Sequence, residues 1–365
     1  MLEANLGRMQ RRAEALGVAL RPHAKTHKCV EVARRQLALG ARGLTVATLH
    51  EAAAFAAAGI LDITWAFPLI PSRLPEARRL ADGGGGEHEP VTLRLVVDSP
   101  EAVAALEAEA AAGDRRPFHV FLKVDCGYHR AGVDPGSARA VELARRLAAS
   151  PHAVFDGLLS HSGHAYRAGS RQEAAAIAEE ERRVVVGLAE RLRSAGIAVP
   201  EVSVGSTPAM AAVERLDGAT EARPGNYAFY DGTQAALGSC RPQDCAVTVL
   251  TTVVSCQPGA GHAVVDAGAL ALSKDAGPDH LPWPWGLGAV FRDLAAYRAG
   301  RRDPELHLVS LSQEHGITSA PAPVHARFRV LPNHSCLVVP NFDFYTVVRG
   351  DEVVDRWPVI TGRDA

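Results

Sequence analysis

The sequence lacks three features that define whole classes of protein. It has no apolar run long enough to cross a bilayer, no excess of basic residues and no pair of cysteines spaced as CxxC. The first absence argues against a transmembrane helix, and a net charge of −2 gives no sign of nucleic-acid binding. The six scattered cysteines indicate reduced thiols, and the first residues show no signal-cleavage pattern, so we expect a cytoplasmic protein.

The first two-thirds of the chain alternates short β-rich runs with alanine-rich helical stretches. A chain of 365 residues with 47% apolar content can bury two domains, or a barrel with an appended domain. Eight candidate strands occupy residues 17–23, 43–48, 62–67, 92–97, 118–125, 154–161, 201–205 and 221–225. Eight strands separated by helices predict a (β/α)₈ TIM barrel. A doubly wound open sheet is the alternative, which periodicity alone does not exclude.

The pattern changes after about residue 236. From there on the sequence consists of strand-like runs and turns with almost no helix between them, among them VTVLTTVVSC, HARFRVLP, SCLVV and FYTVVRGDEVVDRWPV. Such a pattern is typical of an antiparallel sheet. We therefore predict a barrel over residues 1–235 and a C-terminal antiparallel β domain over residues 236–365.

Lys25 is the most distinctive polar residue at the end of a predicted strand. In RPHAKTHKC, residues 21–29, histidines and an arginine surround it, and such neighbours lower a lysine's pKa and leave a neutral nucleophilic amine. A solvated basic turn is the alternative. Barrel enzymes carry their chemistry at the carboxyl ends of the strands. The predicted fifth and sixth strands lead into a further set of polar residues there: Asp125, His129, Arg130, His161, His164 and Tyr166.

Two loops after the seventh and eighth strands have the composition of phosphate-binding loops. They contain Gly205, Ser206 and Thr207, and Gly225, Asn226 and Tyr227. TIM barrels commonly bind phosphate at these two loops, although ordinary turns are the alternative. A lysine facing a phosphate loop suggests pyridoxal phosphate. Arg130 is then a candidate partner of the pyridine nitrogen, and His161 is either a cofactor contact or a core histidine.

A metal site is suggested in the β domain by LPNHSC. His334 and Cys336 lie two residues apart, so on an extended strand both side chains would point to one face. Imidazole and thiolate suit zinc, although chance spacing is the alternative. Two protein ligands leave open coordination positions, which is typical of a catalytic metal.

Together these motifs resemble one known family. RPHAKTHK, DCGYHRAG, HSGHAY, GSTPA, RPGNY and PNHSC occur in this order in D-threonine aldolases and zinc-dependent, eukaryotic-type D-serine dehydratases. The resemblance covers nearly the whole chain and implies the alanine racemase-like fold, a homodimer, pyridoxal phosphate and a divalent metal (zinc, or alternatively manganese or magnesium). The residue roles that it implies are the Schiff base for Lys25, the ring nitrogen for Arg130, phosphate binding for residues 205–207 and 225–227, metal binding for His334 and Cys336, and lining of the active site for His161, His164 and Tyr166.

The resemblance leaves two reactions open, both on D-β-hydroxy amino acids. In a dehydratase, Lys25 removes the α-proton while the metal assists departure of the hydroxyl, which gives a keto acid and ammonia. In an aldolase, the hydroxyl loses its proton, with His161 or His164 as the candidate base, and glycine and an aldehyde are released. Dehydratases of the family pair the histidine with cysteine, whereas its aldolases tend to have aspartate there. Cys336 therefore favours dehydration of D-serine or of a 3-hydroxyaspartate-like substrate.

Two functions of other classes are the remaining alternatives. A non-catalytic carrier of pyridoxal phosphate is typically a barrel alone, so the long β domain argues against it. A racemase needs a second base from the partner subunit, for which Tyr345 is the candidate and a structural aromatic the alternative. The chain also departs from the family in starting inside the first helix, without the usual preceding strand. If that strand is truly missing, we expect an unpaired strand edge.

Overall fold

The computed structural model of the chain describes residues 1–86, 89–111, 116–301 and 306–362. Its first sheet consists of eight short parallel strands: β1 (Ala19–Leu20), β2 (Leu44–Val46), β3 (Asp62–Pro68), β4 (Thr92–Val97), β5 (Phe118–Lys123), β6 (Ala153–Leu159), β7 (Glu201–Val204) and β8 (Glu221–Ala222). They are hydrogen-bonded in the order β1-β8-β7-β6-β5-β4-β3-β2. Each lies within or overlaps one of the eight predicted strands.

The sheet closes into a barrel between β1 and β2. The N–H of Thr45 donates to the carbonyl of Pro22 at 2.8 Å, and the N–H of Arg42 donates to the carbonyl of Leu20 at 2.8 Å. The strands are almost entirely buried, as expected where helices cover the outside of a parallel sheet. The predicted (β/α)₈ barrel is confirmed, and the open sheet is not what forms.

Helices connect the strands and cover the barrel. They are α1 (Leu2–Ala15), α2 (Val30–Ala38), α3 (Leu49–Ala57), α4 (Leu74–Ala81), α5 (Pro100–Ala111), α6 (Ala138–Ala149), α7 (Arg171–Ser194), α8 (Thr207–Ala212) and α9 (Gly232–Ala236). Several begin at a side-chain cap: Thr48, Ser137 and Ser170 each accept the backbone N–H three residues on. Among the described residues, no helix is both long and apolar enough to span a membrane.

Short 3₁₀ turns shape the carboxyl ends of several strands. They span Ala24–Thr26, Pro71–Arg73, Gly163–Arg167, Asn226–Ala228, Pro242–Asp244 and Val339–Asn341. Three of these turns follow β1, β6 and β8 directly, which is where the sequence predicts the chemistry.

A second, antiparallel sheet follows the barrel. Its strands are β9 (Val249–Ser255), β10 (Val264–Val265), β11 (Ala289–Phe291), β12 (Leu308–Leu311), β13 (Gly316–Thr318) and β14 (Arg327–Leu331), in the order β11-β14-β9-β10-β13-β12. The N–H of Leu287 donates to the carbonyl of Leu308 at 2.8 Å, so the two ends of this sheet meet. Two short helices, α10 (Ala269–Leu272) and α11 (Leu294–Arg298), lie between the strands. The predicted C-terminal β domain is confirmed as antiparallel.

The last two strands form a separate hairpin that contacts the barrel. β15 (Phe344–Arg349) and β16 (Glu352–Pro358) pair antiparallel with each other. Trp357 belongs to the hydrophobic core of the barrel, and the guanidinium of Arg35 lies 4.3 Å from the centre of its ring. The boundary at residue 235 stays a prediction.

The segment SCLVV is not the strand that its sequence suggests. It forms the helix α12 (Ser335–Val338), with His334 at the N-cap in extended conformation. The cause is tertiary: the buried carboxylate of Asp231 accepts hydrogen bonds from the backbone N–H of Ser335 at 2.9 Å and from its hydroxyl at 3.2 Å. His334 and Cys336 therefore do not share one face of a strand, and a helix start brings them together instead.

Candidate active site

Lys25 lies in the 3₁₀ turn that directly follows β1, at the carboxyl end of the barrel. The turn begins at His23, whose Nδ1 accepts a hydrogen bond from the backbone N–H of Lys25 at 3.4 Å. Gly225 passes against this turn so closely that a Cβ there would lie 2.7 Å from the carbonyl oxygen of His23. The loops after β1 and β8 can approach each other because residue 225 has no side chain.

Several cationic groups, Lys25 among them, surround His161. Burial and then repulsion from Lys25 hold the pKa of both His23 and His161 well below the ordinary value for histidine. Burial, followed by the charges of Arg223 and Arg130, lowers the pKa of Lys123, at the end of β5, to about 8. The mouth of the barrel therefore attracts anionic groups such as phosphate and carboxylate.

The two arginines of this cluster are held very differently. Arg130 is exposed, and its guanidinium lies 4.8 Å from the centre of the Tyr128 ring. Arg223 is buried and donates hydrogen bonds to the hydroxyl of Ser203 and the carbonyl of Ser160. Arg130 is thus free to turn toward a ligand, whereas Arg223 is held in a fixed position in the mouth of the barrel.

The loops after β5 and β6 together contribute an aromatic wall. The rings of Tyr128 and His164 stack with centroids 5.9 Å apart, and the ring of His161 meets Tyr128 edge-on at 6.3 Å. The Nδ1 of His164 is buried and has no hydrogen-bond partner among the described residues. A buried polar atom without a partner is costly, so a ligand or water is expected to hydrogen-bond there.

The two predicted phosphate loops meet at Thr207. Its hydroxyl accepts the backbone N–H of Tyr227 at 3.2 Å and also hydrogen-bonds with the hydroxyl of Tyr166. The side chain of Tyr227 points away from the site, because its hydroxyl accepts a hydrogen bond from Gln36 at 2.9 Å. Tyr227 therefore contributes backbone rather than side chain to this region.

A buried carboxylate fixes the loops after β6 and β7. Glu181 of α7 accepts hydrogen bonds from the hydroxyls of Ser160 at 2.7 Å and Ser162 at 2.6 Å. It also accepts the backbone N–H of Gly205 at 3.1 Å, so this N–H is already used within the protein. Ser206 caps α8 by accepting the N–H of Ala209.

His334 and Cys336 lie together beside the lysine turn. Their side chains hydrogen-bond with each other, and the Nδ1 of His334 lies 3.0 Å from a carboxylate oxygen of Asp275. Burial disfavours the imidazolium, but the hydrogen bonds to Asp275 and Cys336 raise the pKa of His334 to about 11. Burial also opposes the thiolate, but His334 lowers the pKa of Cys336 below its ordinary value.

Two residues of the barrel contact the side chain of Cys336. Its Sγ lies 3.2 Å from the hydroxyl of Thr26 and 3.8 Å from the amide nitrogen of Asn226. The amide of Asn226 in turn donates to Asp231, the same carboxylate that caps α12. The pair formed by His334 and Cys336 is thus joined to the turn of Lys25 and to the loop after β8, and Asn226 faces that pair.

The residues present fit a phosphate-bearing cofactor and a metal. Lys25 stands among cations that would bind anionic groups, and the close passage at Gly225 and the unpartnered Nδ1 of His164 suit a ligand in the barrel mouth. For a metal, Asp275 takes Nδ1 of His334 and leaves Nε2, which with a thiolate is a donor set suited to zinc. Over the described ranges, no set of three or more histidine, cysteine, aspartate or glutamate side chains converges for metal binding.

Sequence reasoning missed several residues of this site. Thr26 and Arg223 stand inside quoted motifs, next to Lys25 and in RPGNY, so proximity to those motifs is the signal that could have found them. Lys123 lies near the carboxyl end of the predicted strand at residues 118–125 and could have been found in the same way. Glu181 and Asp275 lie in a helix and a loop without any motif, and only the folded chain brings them to the site.

A closed parallel barrel with a lysine after its first strand, followed by an antiparallel β domain, defines the alanine racemase-like class of pyridoxal phosphate enzymes. Comparisons with known proteins agree. Residues 1–232 match the family described as "Alanine racemase, N-terminal domain", and residues 246–348 match "Putative serine dehydratase domain".

Within this class, the chain is most informatively compared with dehydratases and aldolases of D-hydroxy amino acids. The chain is 40% identical to D-threo-3-hydroxyaspartate dehydratase of Delftia sp. (strain HT23), over 99% of this chain and 95% of that protein. It is 34% identical to D-serine dehydratase of Dictyostelium discoideum, over 96% and 91%. It is 32% identical to D-threonine aldolase of Arthrobacter sp, over 98% and 89%. The solved structure of the Delftia enzyme superposes with a TM-score of 0.91, covering 99% of this chain and 95% of that one at 39% identity.

The chain belongs to the family of D-serine dehydratases and D-threonine aldolases. It is a pyridoxal phosphate-dependent lyase of the type that acts on D-hydroxy amino acids.

Proposed function

We propose that this protein removes water from a D-β-hydroxy amino acid and releases a keto acid and ammonia. In this proposal Lys25 holds pyridoxal phosphate, and His334 with Cys336 holds zinc. The observation that carries the proposal is the position of Cys336, whose Sγ lies 3.2 Å from the hydroxyl of Thr26, the residue after Lys25. A metal ligand and the cofactor lysine therefore belong to one site.

Each group would supply one part of the chemistry. Bound pyridoxal phosphate supplies an electron sink for the charge left at the α-carbon. Bound zinc supplies a Lewis acid for the β-hydroxyl. The protein's own base is Lys25, whose Nζ takes the α-proton; the electron pair of that C–H bond forms the new double bond as hydroxide leaves. Hydrolysis of the resulting enamine then returns one water, so the net products are a keto acid and ammonia.

Further polar groups of the site bind the substrate. His164, with its buried and unpartnered Nδ1, is proposed to hydrogen-bond the substrate beside Tyr128. His161 lies close enough to the lysine for their charges to interact, and Arg130 is proposed to face the cofactor ring nitrogen. The loops at residues 205–207 and 225–227 are proposed to hold the phosphate.

The substrate is proposed to be D-threo-3-hydroxyaspartate in preference to D-serine. Lys123, Arg130 and Arg223 interact electrostatically in the barrel mouth, and the second carboxylate of a hydroxyaspartate gains more from them than the hydroxymethyl group of serine. The name of the Delftia relative supports the same choice. Cysteine and histidine variants of that enzyme are known, the former in a metal-free form, which supports the metal pair proposed here.

Retro-aldol cleavage is the second candidate. The identity to D-threonine aldolase supports it, and so does His161, a histidine near the lysine that could act as the base. A homodimer and a cytoplasmic location stay predictions.

The proposal is tested with holoenzyme prepared with and without zinc. With D-threo-3-hydroxyaspartate as the substrate, we expect the wild type to form keto acid and ammonia in equal amounts. This activity should be lost on chelation and restored by zinc, and it should be absent in Cys336→Ser and in Lys25→Ala. As a matched control, Cys256→Ser changes a partly buried cysteine of the β domain and should retain full turnover. Turnover that survives both chelation and Cys336→Ser would refute the role of the metal.

A further inference from the structure

We infer that Thr26 is a positioning residue for the metal-binding thiolate. Its hydroxyl donates a hydrogen bond to Cys336 and thereby fixes the position of the metal site relative to Lys25. This inference rests on the proposed function, because it takes His334 and Cys336 as the ligands of the metal.

The geometry begins with a buried hydroxyl. Thr26 is 0% exposed, and its Oγ1 lies 3.2 Å from Cys336 Sγ, across 310 residues of sequence. Buried hydroxyls almost always hydrogen-bond, and the sulfur of Cys336 lies within hydrogen-bond distance of this hydroxyl. When the cysteine binds a metal it has lost its proton, so the threonine hydroxyl must be the donor.

The surrounding residues favour this contact. A Cβ at Gly225 would lie 3.1 Å from Oγ1 of Thr26, so a side chain there would crowd the hydroxyl. The amide nitrogen of Asn226 lies 3.8 Å from the same sulfur on the side of the phosphate loop. Cys336 is therefore located by one residue beside the cofactor lysine and by one residue of the loop after β8.

The hydrogen bond has two consequences for a bound metal. It restrains rotation of the thiolate, and partners of metal ligands typically change metal affinity by about tenfold or more when they are removed. It also withdraws electron density from sulfur, so less charge is donated to the metal, which stays a stronger Lewis acid for the substrate hydroxyl.

The test compares three substitutions in cofactor-loaded, chelator-treated enzyme titrated with Co²⁺. Thr26→Val keeps the shape and removes the hydroxyl, whereas Thr26→Ser keeps the hydroxyl and removes the methyl. Thr64→Val is the control, because Thr64 is equally buried in β3 and its hydroxyl has no hydrogen-bond partner among the described residues. The readouts are the Co²⁺ affinity and the sulfur-to-cobalt absorption band, taken as the difference from the zinc-loaded enzyme.

We expect Thr26→Val to bind Co²⁺ about tenfold more weakly and to shift the band to longer wavelength, because the sulfur is more electron-rich. Thr26→Ser and Thr64→Val should resemble the wild type. A packing role predicts the reverse order, with valine normal and serine impaired, and that result would overturn the inference. If the valine variant does not fold, Thr26→Ala against Thr26→Ser isolates the hydroxyl, and equal affinities would overturn it.

The outcome also separates this inference from the proposed function. A sulfur-to-cobalt band in the wild type that is lost in Cys336→Ser supports the metal site itself. If the wild type shows no such band, both proposals fail. If the band is present and Thr26→Val leaves the band and the affinity unchanged, only the role of Thr26 fails.

Discussion

The hydroxyl of Tyr345 donates a hydrogen bond to the backbone carbonyl of His27 at 2.6 Å. Close by, the N–H of Ile360 donates to the carbonyl of Lys28, also at 2.6 Å. These two hydrogen bonds connect the C-terminal hairpin, and the residues after it, to the segment that follows the turn of Lys25. Within this chain Tyr345 has a structural contact, which favours the structural aromatic over the second base that a racemase would need.

Tyr345→Phe tests the hydrogen bond between the hairpin and His27. We expect a loss of about 1 kcal/mol in the free energy of unfolding, because one buried hydrogen bond is removed, together with weaker binding of pyridoxal phosphate. Tyr297→Phe is the matched control, since its hydroxyl also donates to a backbone carbonyl, that of Cys245. The control should lose similar stability with unchanged cofactor affinity. Equal cofactor affinity in Tyr345→Phe and wild type, measured by fluorescence titration, would contradict this role of the hydrogen bond.

Asp231→Asn tests the carboxylate that starts α12. Asp231 accepts hydrogen bonds from Asn226, Ser335 and the N–H of Gln234, and an amide there would turn a donor toward donors. We expect a loss of about 2–3 kcal/mol in stability and a lower zinc content after dialysis. Asp293→Asn is the control, because Asp293 caps an exposed helix start in the β domain and should leave zinc content unchanged. Normal zinc content in Asp231→Asn would contradict the account.

His27 gives the protein a predicted loss of stability in weak acid. Its Nδ1 accepts the N–H of Cys29 at 3.1 Å, and its Nε2 lies 3.2 Å from the amide oxygen of Gln36. These two hydrogen bonds fit the neutral imidazole, which has one donor and one acceptor nitrogen. Burial lowers the pKa of His27 from 6.5 to about 4. Below pH 6.5 His27 becomes protonated in the unfolded chain, whereas in the folded protein it stays neutral down to about pH 4. The free energy of unfolding therefore falls as the pH falls from 6.5 to about 4.

The size of that loss can be measured by urea denaturation of the holoenzyme between pH 7.5 and pH 4. A shift from 6.5 to about 4 corresponds to about 3 kcal/mol lost by the lower end of the window. His27→Gln should be less stable at pH 7.5 but should show a correspondingly shallower decline toward acid. An identical decline in the variant and the wild type would show that His27 does not contribute.

The two arginines of the barrel mouth should separate stability from cofactor binding. Arg223→Gln removes the donor to the carbonyl of Ser160 and one hydrogen bond of the Ser203 hydroxyl, which keeps its bond to Glu221, so we expect a loss of about 2–3 kcal/mol. Arg130→Gln changes an exposed side chain, so stability should stay within about 0.5 kcal/mol while the cofactor absorption spectrum changes. An unchanged spectrum in Arg130→Gln would argue against its proposed place at the ring nitrogen.

Much of the barrel could be predicted because parallel strands are buried on both faces, and their sequences are therefore nearly continuous apolar runs. β4, at residues 92–97, has the bounds that the pattern predicts. The polar residues that follow such runs, Lys25 above all, were predictable for the same reason, since the carboxyl ends of barrel strands share one face. SCLVV misled because its apolar content fits a strand as well as a helix.

What decided the conformation of SCLVV is Asp231, 104 residues away in sequence from Ser335. Asp275 was hidden for the same reason, as it meets His334 from a loop 59 residues away. Sequence patterns report local burial and periodicity, whereas these carboxylates act through contacts that exist only after folding. The partners that orient the proposed ligands were therefore beyond prediction, although the ligands themselves were candidates.

The most direct test of the central claim is the product of D-threo-3-hydroxyaspartate with zinc-loaded holoenzyme. Dehydration predicts oxaloacetate and ammonia in equal amounts, with a higher kcat/KM than for D-serine, and no product from Lys25→Ala. Glycine and glyoxylate would instead show cleavage between the α and β carbons. That result would make the enzyme an aldolase and contradict the assignment drawn from Cys336.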